Sequence, residues 1–253
     1  MNISEKTRQR YFIYLQYDGR AYQGWQIQPN GDSVQEEIQN ARSLLLRAPI
    51  EIVGAGRTDA GVHASMMVAH FDFDFDLDCS QLVYRLNRLL PKDIAINSIS
   101  PVDMNLHARF SARWRTYHYY IHTVKNPFLC AYSYELHYAL DFAAMNEAAS
   151  HLLQVKDFCA FCKSHSDVKT TICELKEARW VQDSENQWHF EITANRFLRN
   201  MVRAIVGTLI EVGRKRISVS EFDMIVAGRK RSAAGESMPG HALFLQGVEY
   251  LME

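Results

Sequence analysis

The chain has 253 residues, 47% hydrophobic and 23% charged, an ordinary globular composition that excludes a disordered or fibrous chain. Its formal net charge of −1 gives no whole-chain sign of a polyanionic partner. Apolar runs fall short of a membrane span, the first residues lack a signal-like apolar stretch, and an odd count of five cysteines suits reduced thiols, so a cytoplasmic protein without membrane attachment is expected.

Tyr11 to Tyr17 is aromatic and apolar and closes on Asp18-Gly19, which predicts a strand. Ser33 with Glu36 forms a capping-box pattern, and Val34, Ile38, Ala41 and Leu45 repeat at helical spacing until Pro49. Ile50 to Val53 is predicted as a strand entering the run Gly54-Ala55-Gly56-Arg57-Thr58-Asp59-Ala60-Gly61-Val62-His63-Ala64. Met66 to Asp78 then alternates, placing Phe71, Phe73 and Phe75 on one strand face and aspartates on the other. Leu82, Leu86 and Leu89 mark a helix from Ser80 to Leu90, and Ile94 to Ile99 a further strand. Pro101 to Asn105 separates two similar α/β subdomains, residues 1–104 and 105–253.

His107 to Tyr117 reads as one long strand with Arg109, Arg113, Arg115 and Tyr117 on a common face. Asp141 to Leu153 reads as a helix, and Cys173 to Val181 and Trp188 to Ala194 as a strand pair. Phe197 to Val212 is predicted as a helix with Phe197, Met201, Ile205, Leu209 and Val212 inward and an opposite stripe of Arg196, Arg199 and Arg203. A helix over Ser218 to Ala227 and a strand over Leu243 to Leu251 complete an α+β fold, mainly antiparallel sheet with helices on one face.

Charge is segregated along this order of elements. Arg196 to Arg231 holds nine basic residues against three acidic ones, and His107 to Lys125 holds four Arg or Lys and no acid, which permits a basic face on a neutral protein. The glycine spacing of Gly54 to Gly61 matches neither a dinucleotide fingerprint nor a P-loop. Two readings of it stand: a tight turn capped by Asp59, or a turn that lifts Asp59 and Arg57 toward a substrate. Cys159-Ala160-Phe161-Cys162, with His165, His151 and Cys173, lacks the second ligand pair of a structural zinc site and suits core thiols, so no metal is expected. A single convincing carboxylate disfavours glycoside hydrolysis, which usually needs two.

The sequence resembles the tRNA pseudouridine synthase A family over nearly its whole length. The resemblance rests on Tyr17-Asp18-Gly19 with Tyr22, Gly24-Trp25-Gln26 and Gln28; Ser33 to Glu36; the full Gly54 to Ala64 run; and Leu86-Asn87 with Leu90-Pro91 and Asp93-Ile94. It continues through His107 to Phe110, Arg115-x-Tyr117-x-Tyr119, and Phe197 through Met201-Val202-Arg203 to Gly207. Where the family commonly has Pro-Ala-x-Gly-Leu, this chain has Pro239-Gly240-His241-Ala242-Leu243.

The resemblance implies a pseudouridine synthase fold and isomerisation of uridine to pseudouridine in the anticodon stem-loop of tRNA, positions 38–40, without cofactor. It implies Asp59 as the catalytic carboxylate, attacking C1′ or C6 or stabilising charge on the sugar. Burial disfavours an ionised carboxylate, so an adjacent cation, Arg203 or Arg57, is expected. Tyr117 matches the active-site tyrosine, its ring offering a face to uracil and its hydroxyl a route for the C5 proton. The nucleotide must leave its stem, with Arg57 the candidate for the space it vacates, while Arg109, Arg115 and Arg199 contact phosphates. A homodimer with a shared basic cleft is also implied; the rival expectation is a tRNA-binding protein without catalysis.

Overall fold

The structure, a computed structural model, describes residues 8–29, 31–163 and 168–251. It separates into two compact units, one holding the chain up to Arg113 together with the segment from Leu245, the other running from Trp114 to Phe244.

In the first unit β1 (Gln9–Tyr17) pairs antiparallel with β3 (His63–Phe73) on one side and β4 (Ile94–Val102) on the other. A two-residue β2 (Val53–Gly54) hooks onto β3, and β9 (Leu243–Tyr250) is β3's further neighbour. Strand alternation puts Tyr11, Ile13 and Leu15 on one face, all buried. Helix α1 (Val34–Leu46) lies over that face: the Arg42 guanidinium sits 4.3 Å above the Phe71 ring, itself stacked 5.4 Å from Tyr11. Ser33 caps α1 by accepting the Glu36 N–H. Phe12, on the opposite face, packs 5.1 Å from the Tyr250 ring.

Helix α2 (Cys79–Leu89) closes the edge of this sheet with a side chain. The Asn87 amide donates to the Ile96 carbonyl at 2.8 Å and its oxygen accepts the Ile96 N–H at 2.7 Å, so an edge residue of β4 is satisfied as a neighbouring strand would satisfy it.

The second unit repeats this device. Its strands β5 (Ala112–His122), β8 (Gln187–Ala194) and β7 (Leu175–Ser184) are antiparallel in that order, with β6 (Tyr134–Glu135) parallel to β5. In α3 (Phe142–His151), Asn146 donates to the Trp180 carbonyl at 3.2 Å and accepts the Trp180 N–H at 2.7 Å, again on an edge strand. Almost every residue of α4 (Met201–Gly213) is buried, and α5 (Val219–Gly228) starts at a reciprocal Ser218/Glu221 capping box. The class is the expected one, a mixed but mostly antiparallel sheet architecture with helices.

Four expected elements differ. Ile50 to Val53 shrinks to β2, because the main chain before it bonds to α1 side chains: Arg42 donates to the Ile50 carbonyl, Ser43 accepts the Ile50 N–H, and Gln35 donates to the Ile52 carbonyl. The strand through Phe71 ends at Phe73, leaving Phe75 outside it and exposed, and Asp78 caps α2. His107 to Ser111 is a turn, so β5 starts at Ala112 and Arg109 does not share a strand face with Arg115 and Tyr117. Helix α4 starts at Met201 because Asn200 is left-handed at φ 69°; Arg196 and Arg199 precede it, so the three arginines form no single helical stripe.

Candidate active site

The Gly54 to Ala64 run is a tightly anchored carrier for Asp59. Ala55 N–H donates to the Val68 carbonyl at 2.7 Å, Trp25 N–H to the Thr58 carbonyl at 3.4 Å, and Gly61 N–H to the Tyr22 carbonyl at 3.2 Å. Val62 N–H closes the turn on the Asp59 carbonyl at 3.2 Å, while the Thr58 and Tyr17 hydroxyls meet at 2.9 Å. Each such bond contributes about 1 kcal/mol net, so the backbone on both sides of Asp59 is held while its side chain stays partly exposed.

The loop bearing Gly24 and Trp25 is pressed against this turn. Gly24 has φ +101°, and a Cβ there would stand 2.2 Å from the Thr58 carbonyl oxygen. Gly54 supports the buried Trp25 ring, since its Cβ would fall 2.5 Å from indole atoms. Tyr22 anchors the same loop by donating to Asp93 at 2.7 Å, and burial beside that carboxylate pushes its phenol up. Below the turn, buried His63 accepts the Gly19 N–H at 3.2 Å through Nδ1.

Beside the turn opens a cleft of about 140 Å³ lined by Trp25, Gln35, Gly54, Gly56, Arg57 and Arg109 among others. The structure thus brings together Arg57, which is exposed, and Arg109, which approaches from the His107 to Ser111 turn. Two cations on one small cleft suit an anionic ligand. Gly56 faces open space: a Cβ there meets no atom within 4 Å.

In the second unit, Tyr117 is a buried β5 residue opposite Ile192, its ring edge-on to Phe197 at 5.1 Å and 84°. Arg115 lies two residues earlier on the same strand face and donates to the Asn195 carbonyl at 2.8 Å. Arg203, in the first turn of α4, donates through Nε to the Met238 carbonyl and accepts the Met238 N–H on its own carbonyl at 3.1 Å. Arg199 is exposed, its carbonyl taking the Lys163 N–H at 3.1 Å. The Tyr119 hydroxyl donates to the Pro239 carbonyl at 3.1 Å, so the departing Pro239 to Ala242 segment is anchored before its single 3-10 turn.

Among the described residues, Cys159, Cys162, Cys173 and His151 form no metal-ligating group; Cys162 and Cys173 are buried, and burial pushes the Cys173 thiol up to about 11. His165 lies outside the described residues. Sequence reasoning assigned no role to Trp25 or Gln35 as cleft walls, or to His70 and His107 as turn builders. The Gly24-Trp25-Gln26 triplet was the available signal for the first.

The profile of the tRNA pseudouridine synthase family matches residues 13–111 and 148–251, taking in the Asp59 turn, the cleft and α4. The chain belongs to that family, and with it to the isomerases that rearrange a nucleoside in place. It is 56% identical to the tRNA pseudouridine synthase A of Bacteroides fragilis over 246 residues, covering 97% of this chain and 98% of that one. The tRNA pseudouridine synthase A of Bacteroides thetaiotaomicron is 54% identical, covering 96% and 91%, and that of Bacillus subtilis 38% identical, covering 93% and 97%.

Proposed function

We propose that this protein converts uridine to pseudouridine in the anticodon stem-loop of tRNA, at positions 38–40, using its own side chains and no cofactor. The observation that carries the reading is the anchored turn that bears Asp59, a fixed backbone whose Gly54, Gly56 and Arg57 line a cleft shared with Arg109. The reaction breaks the bond between N1 of uracil and C1′, turns the base, and forms the bond between C5 and C1′. N1 gains a proton and C5 loses one, so atoms balance without an outside reagent. Asp59 either adds to C1′ or C6, or stabilises the positive sugar.

Tyr117 and Arg203 are the other assigned catalytic residues, Tyr117 offering a ring to the uracil and a phenol oxygen to the C5 proton. Arg57 fills the space an extruded nucleotide leaves, and Arg109, Arg115 and Arg199 bind phosphates. The N-terminal subdomain, residues 1–104, supplies the aspartate turn with Arg57, and the C-terminal one, residues 105–253, supplies Tyr117 and the other arginines. The protein acts in the cytoplasm as a homodimer.

Asp59→Asn is the test. The variant is expected to form no pseudouridine in tRNA while binding tRNA within about tenfold of the unsubstituted protein, because the change is nearly isosteric. Undiminished product would sink the catalytic assignment. Product mapped outside positions 38–40 would overturn the location, and no product from the unsubstituted protein would leave a tRNA-binding module.

A further inference from the structure

We propose that Phe110 is a stacking platform for an unpaired nucleobase of the RNA substrate, standing next to the Arg57–Arg109 cleft. The proposal rests on the RNA-directed reading above and adds to it a residue with no role so far. Phe110 is 78% exposed, so its ring is open to a ligand; what sets it apart is the ordered turn that holds it.

The turn that presents it is unusually well fastened. Ala108 N–H donates to Nδ1 of His70 at 3.2 Å, and Arg109 and Phe110 N–H both donate to Nδ1 of His107, at 3.1 and 3.3 Å. The His107 N–H donates to the Ser111 hydroxyl at 2.9 Å, the Ser111 N–H returns to the His107 carbonyl at 2.9 Å, and the Tyr250 hydroxyl donates to the Ala108 carbonyl at 2.6 Å. A surface turn tied at every residue from His107 to Ser111 loses little freedom when something docks on it.

The rings continue outward from the core. His70 is buried; His107 packs edge-on against it at 4.5 Å; the Phe110 ring lies 4.4 Å from His107, tilted by 34°. This series of three touching rings ends at the exposed Phe110, and a nucleobase is a flat group that would stack on it. The Arg109 guanidinium lies 5.7 Å from the centre of the Phe110 ring while the same residue lines the cleft, so cation and ring together suit a base and its phosphate. Stacking is tolerant of base identity and needs a base free of its partner, which points to a loop or extruded nucleotide and away from a paired stem.

The test compares Phe110→Ala, Phe110→Leu and Phe110→Trp by their Kd for tRNA and their melting temperatures. The alanine and leucine variants are expected to bind tRNA about tenfold or more weakly, the tryptophan variant to bind at least as tightly as the unsubstituted protein, and all three to melt alike. Binding is read without activity, so a protein that binds tRNA and makes no pseudouridine would defeat the function above and leave this proposal standing. Leucine binding as well as phenylalanine would overturn stacking. So would a change in sedimentation with Phe110→Ala at unaltered tRNA affinity, which would assign the ring to a protein contact.

Discussion

Gly24→Ala tests how strictly the Asp59 turn is positioned, with Gly56→Ala as its control. At Gly24 the backbone has φ +101°, where an L side chain is strained, and the added Cβ would stand 2.2 Å from the Thr58 carbonyl oxygen and 3.1 Å from the Asp59 carbonyl carbon. The strain costs about 1–3 kcal/mol, and relieving the contact requires the Thr58-Asp59 segment to move by roughly 1 Å. Misplacement on that scale lowers turnover about a hundredfold. At Gly56, by contrast, φ is not positive and the Cβ meets nothing within 4 Å, so stability should change by less than about 0.5 kcal/mol. Urea unfolding gives the stability of both variants, and single-turnover formation of pseudouridine in tRNA gives their activity. Gly24→Ala should lose about 2–4 kcal/mol and most of its rate. Gly56→Ala should stay as stable as the parent, so any lost affinity there reports substrate approaching the cleft floor. A Gly24→Ala protein turning over within threefold of the parent would refute the positioning argument.

Two further predictions concern buried titratable groups. Burial, aided by the charges of Arg10 and His107, pushes His70 from 6.5 down to about 4, so its contribution to stability is complete above pH 6.5 and is lost as pH falls toward 4. At most about 3 kcal/mol is at stake, and His70→Gln should flatten the stability profile in that window; an unchanged slope would contradict the assignment. Arg42 is fully buried, its pKa pushed down to about 9 by burial, with Nε and Nη1 unpartnered among the described residues. Arg42→Met should therefore unfold within about 1 kcal/mol of the parent or above it, whereas a loss beyond about 3 kcal/mol in calorimetry would show that the Ile50 bond and the Phe71 contact outweigh the desolvation.

The legible parts of the fold are those whose causes are local. Ser33 before Val34, Asp141 before Phe142 and Ser218 with Glu221 each mark a helix start within a residue or two, because capping satisfies nearby main-chain groups. The misread parts are those in which a distant side chain claims the main chain. His107 to Tyr117 alternates as a strand should, yet the amides of Ala108 to Phe110 go to histidine rings. The Phe197 to Val212 pattern is helical by spacing, yet Asn200 adopts a left-handed conformation with its side chain on Ser237. Periodicity records which side chains are apolar and carries no record of such acceptors.

The sequence alone determined the α+β class, the order of the main strands and helices though not β6, the family, and the prominence of Asp59 in its glycine turn. Only the tertiary structure decided why that turn holds its shape. Gly24 yields to the Thr58 carbonyl, Trp25 walls the cleft from against Gly54, and Arg109 leaves its expected strand to line the cleft with Arg57. It also decided that Asn87 and Asn146 play one part in two units without sequence repetition. Apart from Asn87 and Ile96, nine positions apart, these bring together residues tens of positions apart. Each depends on which atoms stand within a few ångströms of one another, and for Asn87 and Asn146 on which edge-strand N–H and carbonyl are left to pair, quantities that exist only once the chain has folded.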